Sequence, residues 1–565
     1  MSARRILNKW FWVLGVGFVC ALVGIPLYQI FIEVLQSPTE GWRLLTEKDP
    51  DGLIALLPED MQAELLPEHT VLYERVKSTC IILCSVIFFS SLLGIALAWM
   101  LSIFKLKGKA AITFLLALPL AIPSYVMASC YKQITAGLEL STSIYVREQH
   151  GAEVMQQYDE WWNYGLAILV LTCSYYPYVF LAARSAFSSL SPEYMDSARL
   201  LGDSSWRVLR RVALPLARPA IVAGVMLVAL ETLNEYGAMK IIGIETLLTE
   251  VFKIRAGTND LNTAVRVASC IMLMVFVLLV GEQLLRGRKK FHASRSGGVS
   301  QSRQRLGGIS LTLVYLLSGV TFMMAFALPM SELLRLALHG IKVVEFSSLL
   351  DPVWDSFCLA FSTSAMTLVA ALFIAYANRL FPQWWMVTMS KMSTLGYAVP
   401  GAILGIGIIA WNGVVMNGSS AGDLVQWLFY QSTVGLMIAY GIRFLTVSLG
   451  SVDAGFKSIR VSLDEASSML NCSRWKTFLQ VHLPLLRPSI MAGLLILFVD
   501  VMKELPMTLI LSPFNTETLA INAYSLFAVQ EDYARGSLPA LILVLAGISG
   551  MVMVRLLLRT SKTHS

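Results

Sequence analysis

Long apolar runs separated by short polar segments fill this 565-residue chain. Twelve runs have membrane-spanning length: residues 10–34, 78–104, 110–131, 164–187, 217–241, 264–285, 308–335, 356–378, 384–411, 430–452, 485–512 and 537–558. Each reaches the ~20 apolar residues that a helix needs to cross hydrocarbon. In lipid a segment of this kind must satisfy its backbone internally, so the pattern predicts helices. Pro119, Pro123, Pro177 and Pro400 fall inside runs; membrane helices tolerate proline where neighbours take up the freed backbone groups. The basic start, Met1 to Lys9, leads into an apolar stretch too long for a signal peptide and without a small-residue cleavage site, so residues 10–34 read as a retained first helix.

Composition agrees with a membrane class. Only 14% of residues are charged and 56% are hydrophobic, against about 25% charged in soluble domains. The net charge of +7 is unevenly placed. Arg4, Arg5 and Lys9 precede the first run; Lys105, Lys107 and Lys109 follow the second; Arg199, Arg207, Arg210 and Arg211 lie between the fourth and fifth. Residues 286–306 carry seven bases and no acid, and the tail adds Arg555, Arg559 and Lys562. The intervening segments are acidic, with nine acids to four bases over 35–77 and five to two over 132–163. Lys and Arg accumulate on the cytoplasmic side, so the alternation predicts twelve crossings with both termini cytoplasmic. It also explains the basic runs as topology determinants, with no nucleic acid as partner and membrane lipid as the surroundings. The eight cysteines include no CxxC pair, and the six histidines are scattered. Neither a disulfide framework, a catalytic constellation nor a stably bound metal is expected.

The polar, Gly/Ser-containing segment 286–306 cannot bury a core and reads as a cytoplasmic linker. It divides the chain into 1–285 and 307–565, and these halves repeat one another. With an offset of 269, residues 191–235 align on 460–504 without a gap, and thirteen of the forty-five positions are identical. The matches include Trp206/Trp475, Pro215/Pro484, Arg218/Arg487, Pro219/Pro488, Gly224/Gly493 and Glu235/Glu504. Unrelated apolar helices would share Leu, Val and Ala rather than these residues. Further on, Glu245-Thr246-Leu247 answers Glu517-Thr518-Leu519 after a three-residue insertion. Six spans per half is an even number, so the repeats are parallel. The expected fold is an all-α integral membrane protein with twelve transmembrane helices in two parallel six-helix repeats.

The strongest repeated segment is too polar to span. It runs from Asp196 to Pro215 in the first half and from Glu465 to Pro484 in the second. Each copy predicts helix, turn, helix. Gly202 or Asn471 takes the left-handed position that ends the first helix, Ser204 or Ser473 caps the second, and Leu-Pro closes it. The pattern resembles the EAA motif of binding-protein-dependent ABC importer permeases, which have a type I transmembrane domain. Asp196, Ser197, Ala198, Gly202 and Pro215 stand for the motif in one copy, and Glu465, Ala466, Ser467, Asn471 and Pro484 in the other. The departures are Asp for Glu, Ser for Ala and Asn for Gly. The resemblance implies that each loop docks on an ATPase subunit and couples nucleotide-driven closure to the membrane helices. No GxxxxGK[ST] phosphate loop occurs in the chain. The partners implied are two copies of an ABC ATPase, which carry ATP and Mg, and a periplasmic solute-binding protein; no cofactor belongs to this chain.

Glu231 and Glu235, with their repeat equivalents Asp500 and Glu504, are carboxylates within apolar runs. Spaced four apart, each pair would share one face of a continuous helix. Such residues face a wet cavity or a partner, which leaves two readings: a carboxylate ring lining a translocation path, or structural pairs such as Glu504 with the adjacent Lys503 or with a neighbouring helix. Oxygen ligands suit a hard cation such as ferric iron. Segments 174–187, 233–253, 396–409 and 503–526 resemble fused ferric iron importer permeases of the bacterial inner membrane, and thiamine permeases share that layout. The functional expectation is therefore a permease, not an enzyme, for ferric iron, with thiamine or another small solute as the alternative. A twelve-helix secondary transporter driven by an ion gradient is the rival from another class, and it leaves the paired loops unexplained.

Overall fold

The computed structural model describes residues 2–48, 69–104, 106–190, 197–198, 200–257, 260–286, 308–418, 432–513 and 516–563, and every regular element among them is helical. Among the described residues ten helices are long and apolar enough to cross a membrane, and two further bent pairs raise the number to twelve if each pair counts as one span. Leu14, Phe18, Leu92, Phe276 and Val369 are examples of span side chains left exposed. On a span these large apolar faces suit contact with lipid tails rather than water. The greater part of the linker read at 286–306, and residues 49–68 of the segment between the first two runs, lie outside the described residues.

The runs at 110–131 and 384–411, expected as single spans, are the two bent pairs. Lys109–Ala121 meets Ser124–His150 at 92°, and Trp384–Ala398 meets Gly401–Trp411 at 108°. Pro123 and Pro400 stand at the breaks. Proline has no N–H to give the preceding turn and biases its predecessor away from helix, so the chain turns there. Two more expectations shift. The runs at 217–241 and 485–512 end as continuous helices at Leu233 and Met502, and the short helices Gly237–Ile242 and Pro506–Leu511 follow.

The repeat is visible element by element. Ser205–Val208, the π-helical turn Leu209–Ala213, Leu214–Leu233 and Gly237–Ile242 recur as Arg474–Thr477, Phe478–His482, Leu483–Met502 and Pro506–Leu511. Every boundary in these four pairs is shifted by the same 269 residues. The next helix pair, Leu247–Gly257 and Leu519–Ala528, begins with an offset of 272, as the three-residue insertion requires.

The compact units do not follow the sequence halves. One comprises 1–39, 254–269 and 340–565; the other comprises 40–253 and 270–339. The helix Ser2–Leu35 thus packs with second-half helices: Trp12 stacks on Phe373 with ring centroids 4.4 Å apart and meets Tyr376 edge-on at 5.6 Å. Around them lie Val16, Ile374, Met386, Leu449 and Phe456, all buried. In the other unit, Val71–Ile103 and Leu214–Leu233 both cross Ala152–Ser189 at closest approach. A Cβ on Gly94 would sit 2.9 Å from the Phe180 nitrogen, and one on Gly224 would sit 3.0 Å from Val179 Cα. Small residues at such crossings let backbones come together where lipid supplies no hydrophobic drive.

Replacing Gly94 by Val should destabilise the purified protein by about 1–3 kcal/mol, the usual cost of overpacking. Gly137→Ala is the control, because nothing lies within 4 Å of a Cβ there, and the helix should gain about 1 kcal/mol. Thermal unfolding in one detergent compares the two; equal midpoints would refute the crossing geometry.

Candidate functional site

The two polar loops fold alike where both are described. In the second, Ser462–Met469 ends in a left-handed turn at Asn471, φ +53°. Leu470 N–H donates to Ala466 O at 3.1 Å and Cys472 N–H to Ser467 O at 3.1 Å. In the first, Gly202 takes the turn with φ +86°, Leu201 N–H donates to Ser197 O at 3.2 Å and Asp203 N–H to Ala198 O at 3.1 Å. These bonds satisfy carbonyls that a helix end leaves open. Ser473 caps the following turn by accepting Lys476 N–H at 3.2 Å. Ser204 has the same extended backbone, but its side chain makes no capping bond. Asp196 lies outside the described residues.

After the cap each chain widens into a π turn before the membrane helix. Leu214 N–H reaches back five residues to Leu209 O, and Leu483 N–H to Phe478 O. The cause is the next residue. Pro215 and Pro484 have no N–H, and in a regular helix their rings would meet the carbonyl four residues back; the wider turn relieves that clash.

What the loops expose is matched as well. Leu200 and Leu201 are 89% and 87% exposed, and their equivalents Met469 and Leu470 are 88% and 78% exposed. Trp206 and Trp475 are also exposed, while Ala198 and Ser467 are buried. Ser197, Gly202 and Pro215 are exposed, as are Glu465, Ala466, Asn471 and Pro484. One small residue of each loop, Ala198 or Ser467, therefore faces the protein, and each tip presents two bare apolar side chains, with an exposed tryptophan further along the loop. Burying a side chain of this size is worth about 1.5–3 kcal/mol, so the same cost is incurred twice on loops too polar for lipid.

The second loop is anchored by residues that sequence reading missed. Asp464 Oδ2 accepts from Arg379 Nε at 2.9 Å and Nη2 at 2.7 Å, and Asp464 Oδ1 lies 2.6 Å from His482 Nε2. Arg379 also donates to Phe456 O at 2.9 Å. Tyr376 Oη donates to Arg474 O at 2.7 Å, and the Ser467 and Thr477 hydroxyls bond to each other. The first loop has Met195 and Ala213 at the repeat positions of Asp464 and His482. Its ion pairs, Asp203 with Arg211 at 3.4 Å and with Arg207 at 3.7 Å, are on exposed arginines and worth little. Comparing the repeats for identities hid this anchor, since it exists in one copy; a histidine in place of the repeat's alanine was the available signal.

The intramembrane carboxylates are not arranged as a continuous helix face. The helices end at Leu233 and Met502, so Glu235 and Glu504 stand beyond them. Both are buried. Glu235 accepts Ala238 N–H at 2.9 Å, the Tyr175 hydroxyl at 2.6 Å, and the Ser124 hydroxyl. Glu504 accepts Met507 and Thr508 N–H, each at 3.2 Å, the Thr508 hydroxyl at 3.0 Å, and Arg443 Nη1 at 3.0 Å. Each carboxylate thus receives N–H groups from the first turn of the short helix that follows. Gly401 is required beside the ion pair, because a Cβ there would collide with the Arg443 guanidinium. The partner of Glu504 is Arg443; Lys503 bonds Asp500 instead, at 3.0 Å. Glu231 and Asp500 are partly exposed. Among the described residues no group of three or more His, Cys, Asp or Glu is placed to hold a metal ion.

Glu504→Ala should destabilise the protein by about 3–5 kcal/mol, since it strands a buried guanidinium, and adding Arg443→Met should recover part of the loss. Unfolding midpoints of the single and double variants measure this coupling; additive effects would mean that the pair is not the link.

The family model of the binding-protein-dependent transport system inner membrane component matches residues 90–289 and 367–562. The Fe(3+)-transport system permease protein FbpB 2 of Haemophilus influenzae is 23% identical over 530 residues, which cover 93% of this chain and 94% of that protein. The sulfate transport system permease protein CysT of Escherichia coli is 28% identical over 299 residues, 51% of this chain and 96% of its own length. CysW of the same organism is 24% identical over 297 residues, 51% of this chain and 91% of its own. The two family matches span well over half of the chain and each contains one polar loop with its π turn and the helix that follows. The chain therefore belongs to the binding-protein-dependent transport system inner membrane components, a family of multi-pass membrane transport subunits that are not enzymes.

Proposed function

We propose that this chain is the transmembrane permease subunit of an ATP-binding-cassette importer, with two six-helix halves in one polypeptide and both termini cytoplasmic. The observation that carries the reading is the pair of loops with the same turn, the same π segment and the same bare apolar tip. Two equivalent sites call for two equivalent partners, and two copies of an ATPase subunit provide them. Asp196, Ser197, Ala198, Gly202 and Pro215, with Glu465, Ala466, Ser467, Asn471 and Pro484, shape these docking elements. Leu200, Leu201, Met469 and Leu470 supply the buried contact. A periplasmic binding protein delivers the cargo to the other face.

For the cargo we favour ferric iron. An Fe(3+)-transport permease matches over 93% of this chain, whereas the sulfate permeases CysT and CysW each match about half of it. Those sulfate relatives support a second reading, a small oxyanion, beside thiamine or another solute. Glu231 and Asp500 are the carboxylates we assign to the path. Glu235 and Glu504 fit a bracing role, because their oxygens are taken up by the short helices.

Leu200→Asp with Leu201→Asp, or Met469→Asp with Leu470→Asp, should weaken capture of the ATPase at least tenfold, as expected from losing one or two buried side chains. Pull-down with candidate ATPases measures it. Uptake that persists without an ATPase and collapses with the ion gradient would replace this reading with a secondary transporter. ATP hydrolysis by the reconstituted complex, stimulated by an iron-loaded or a sulfate-loaded binding protein, decides the cargo.

A further inference from the structure

At the loop end of Leu214–Leu233 a cavity of about 370 Å3 lies against Val71–Ile103. Ile95, Leu214, Pro215 and Val222 give it apolar walls, and Arg210 and Arg218 complete its lining. Among the described residues neither guanidinium makes a hydrogen bond or an ion pair. Their neighbours differ: Arg207 and Arg211 are both held by Asp203. Arg210 stands in the π turn Leu209–Ala213 and Arg218 near the start of Leu214–Leu233, and the same cavity reaches both.

We propose that this cavity holds the phosphate of an anionic phospholipid between Arg210 and Arg218, with its glycerol and first methylenes against the apolar walls. Two cations with no carboxylate partner among the described residues complement a single phosphate, and guanidinium matches phosphate oxygens in a bidentate manner. Apolar walls on the surface of a span suit an acyl chain and give a free phosphate ion nothing. Basic pockets at the ends of membrane helices bind such headgroups generally. The second half repeats Arg218 as Arg487 but has Leu479 where the first has Arg210, so it lacks one of the two cations. The site belongs to the first half and adjoins the π turn between its loop and its span.

The test uses the full chain in nanodiscs of phosphatidylcholine doped with phosphatidylglycerol. Native mass spectrometry then counts the phosphatidylglycerol retained on release into detergent. Arg210→Gln with Arg218→Gln should lower its retention relative to phosphatidylcholine about thirtyfold, because each interfacial cation contributes about fivefold. Arg487→Gln should leave it unchanged. Wild-type retention in the double variant, or an equal loss in Arg487→Gln, overturns the proposal. So does inorganic phosphate, if it raises the unfolding temperature in pure phosphatidylcholine discs in an Arg210-dependent way, since the site would then take a soluble anion. Should the double variant fail to fold, Val222→Trp fills the cavity and keeps both charges; loss of retention supports the lipid site and wild-type retention overturns it.

Discussion

Everything in this bundle answers to the cost of an unpaired backbone group in hydrocarbon. A membrane helix meets it by continuing unbroken, yet this chain interrupts several of its runs. Where it does so it supplies replacements from side chains. The clearest are Glu235 and Glu504, which stand just beyond the helix ends and receive the opening N–H groups of the next short helix. A carboxylate is a strong acceptor, and it can take several donors at once. Placed there it converts a helix break, otherwise a liability in lipid, into a fixed corner. The two halves complete the arrangement differently. Tyr175 and Ser124 saturate Glu235 with neutral hydroxyls, while Arg443 gives Glu504 a countercharge.

This explains which parts of the fold were legible in the residues. Hydropathy counts apolar residues along a run and is insensitive to direction, so it located the runs, of which ten are membrane-length helices and two are bent pairs among the described residues. It could not show that 110–131 and 384–411 turn through about a right angle, because a bent pair has the same composition as a straight span. Pro123 and Pro400 marked the positions, but proline is tolerated within membrane helices, so its presence does not decide between a kink and a corner. The carboxylates misled for a related reason. A spacing of four places residues on one face only while the helix continues, and here it stops between them. Of the two partners expected for Glu504, a neighbouring helix supplies the one found, Arg443, and not the adjacent Lys503, since a neighbour in sequence is reachable only if the backbone permits it.

The loops were the most legible element, and the reason is their chemistry. A left-handed turn accepts few residue types, a cap requires a small oxygen-bearing side chain, and a proline excludes a donor. The turn and cap are written in residue identity, and Gly202, Asn471 and Ser473 are read directly; Leu-Pro, expected to close the second helix, instead stands in the first turn of a membrane helix that continues from it, because the π turn takes up the clash of Pro215 or Pro484. The anchor of the second loop was not legible, because Asp464, Arg379 and His482 come from elements far apart in sequence and have no counterpart in the first copy. A repeat reveals what its copies share and conceals what one copy has gained.

That difference bears on how force would pass through the two loops. The second is tied to Ser347–Leu380 through Arg379 and Tyr376, and to its own span through His482. A push on its tip is carried into packed helices with little slack, because charge-assisted bonds and a buried ring connect them. The first is held, among these charged contacts, by surface ion pairs that yield easily. Equal tips on unequal mountings imply that two identical partners would meet one stiff and one compliant arm. In a fused chain the halves are free to diverge in this way, since one polypeptide guarantees that one of each is always present. A permease built from two copies of a single gene product has no such freedom.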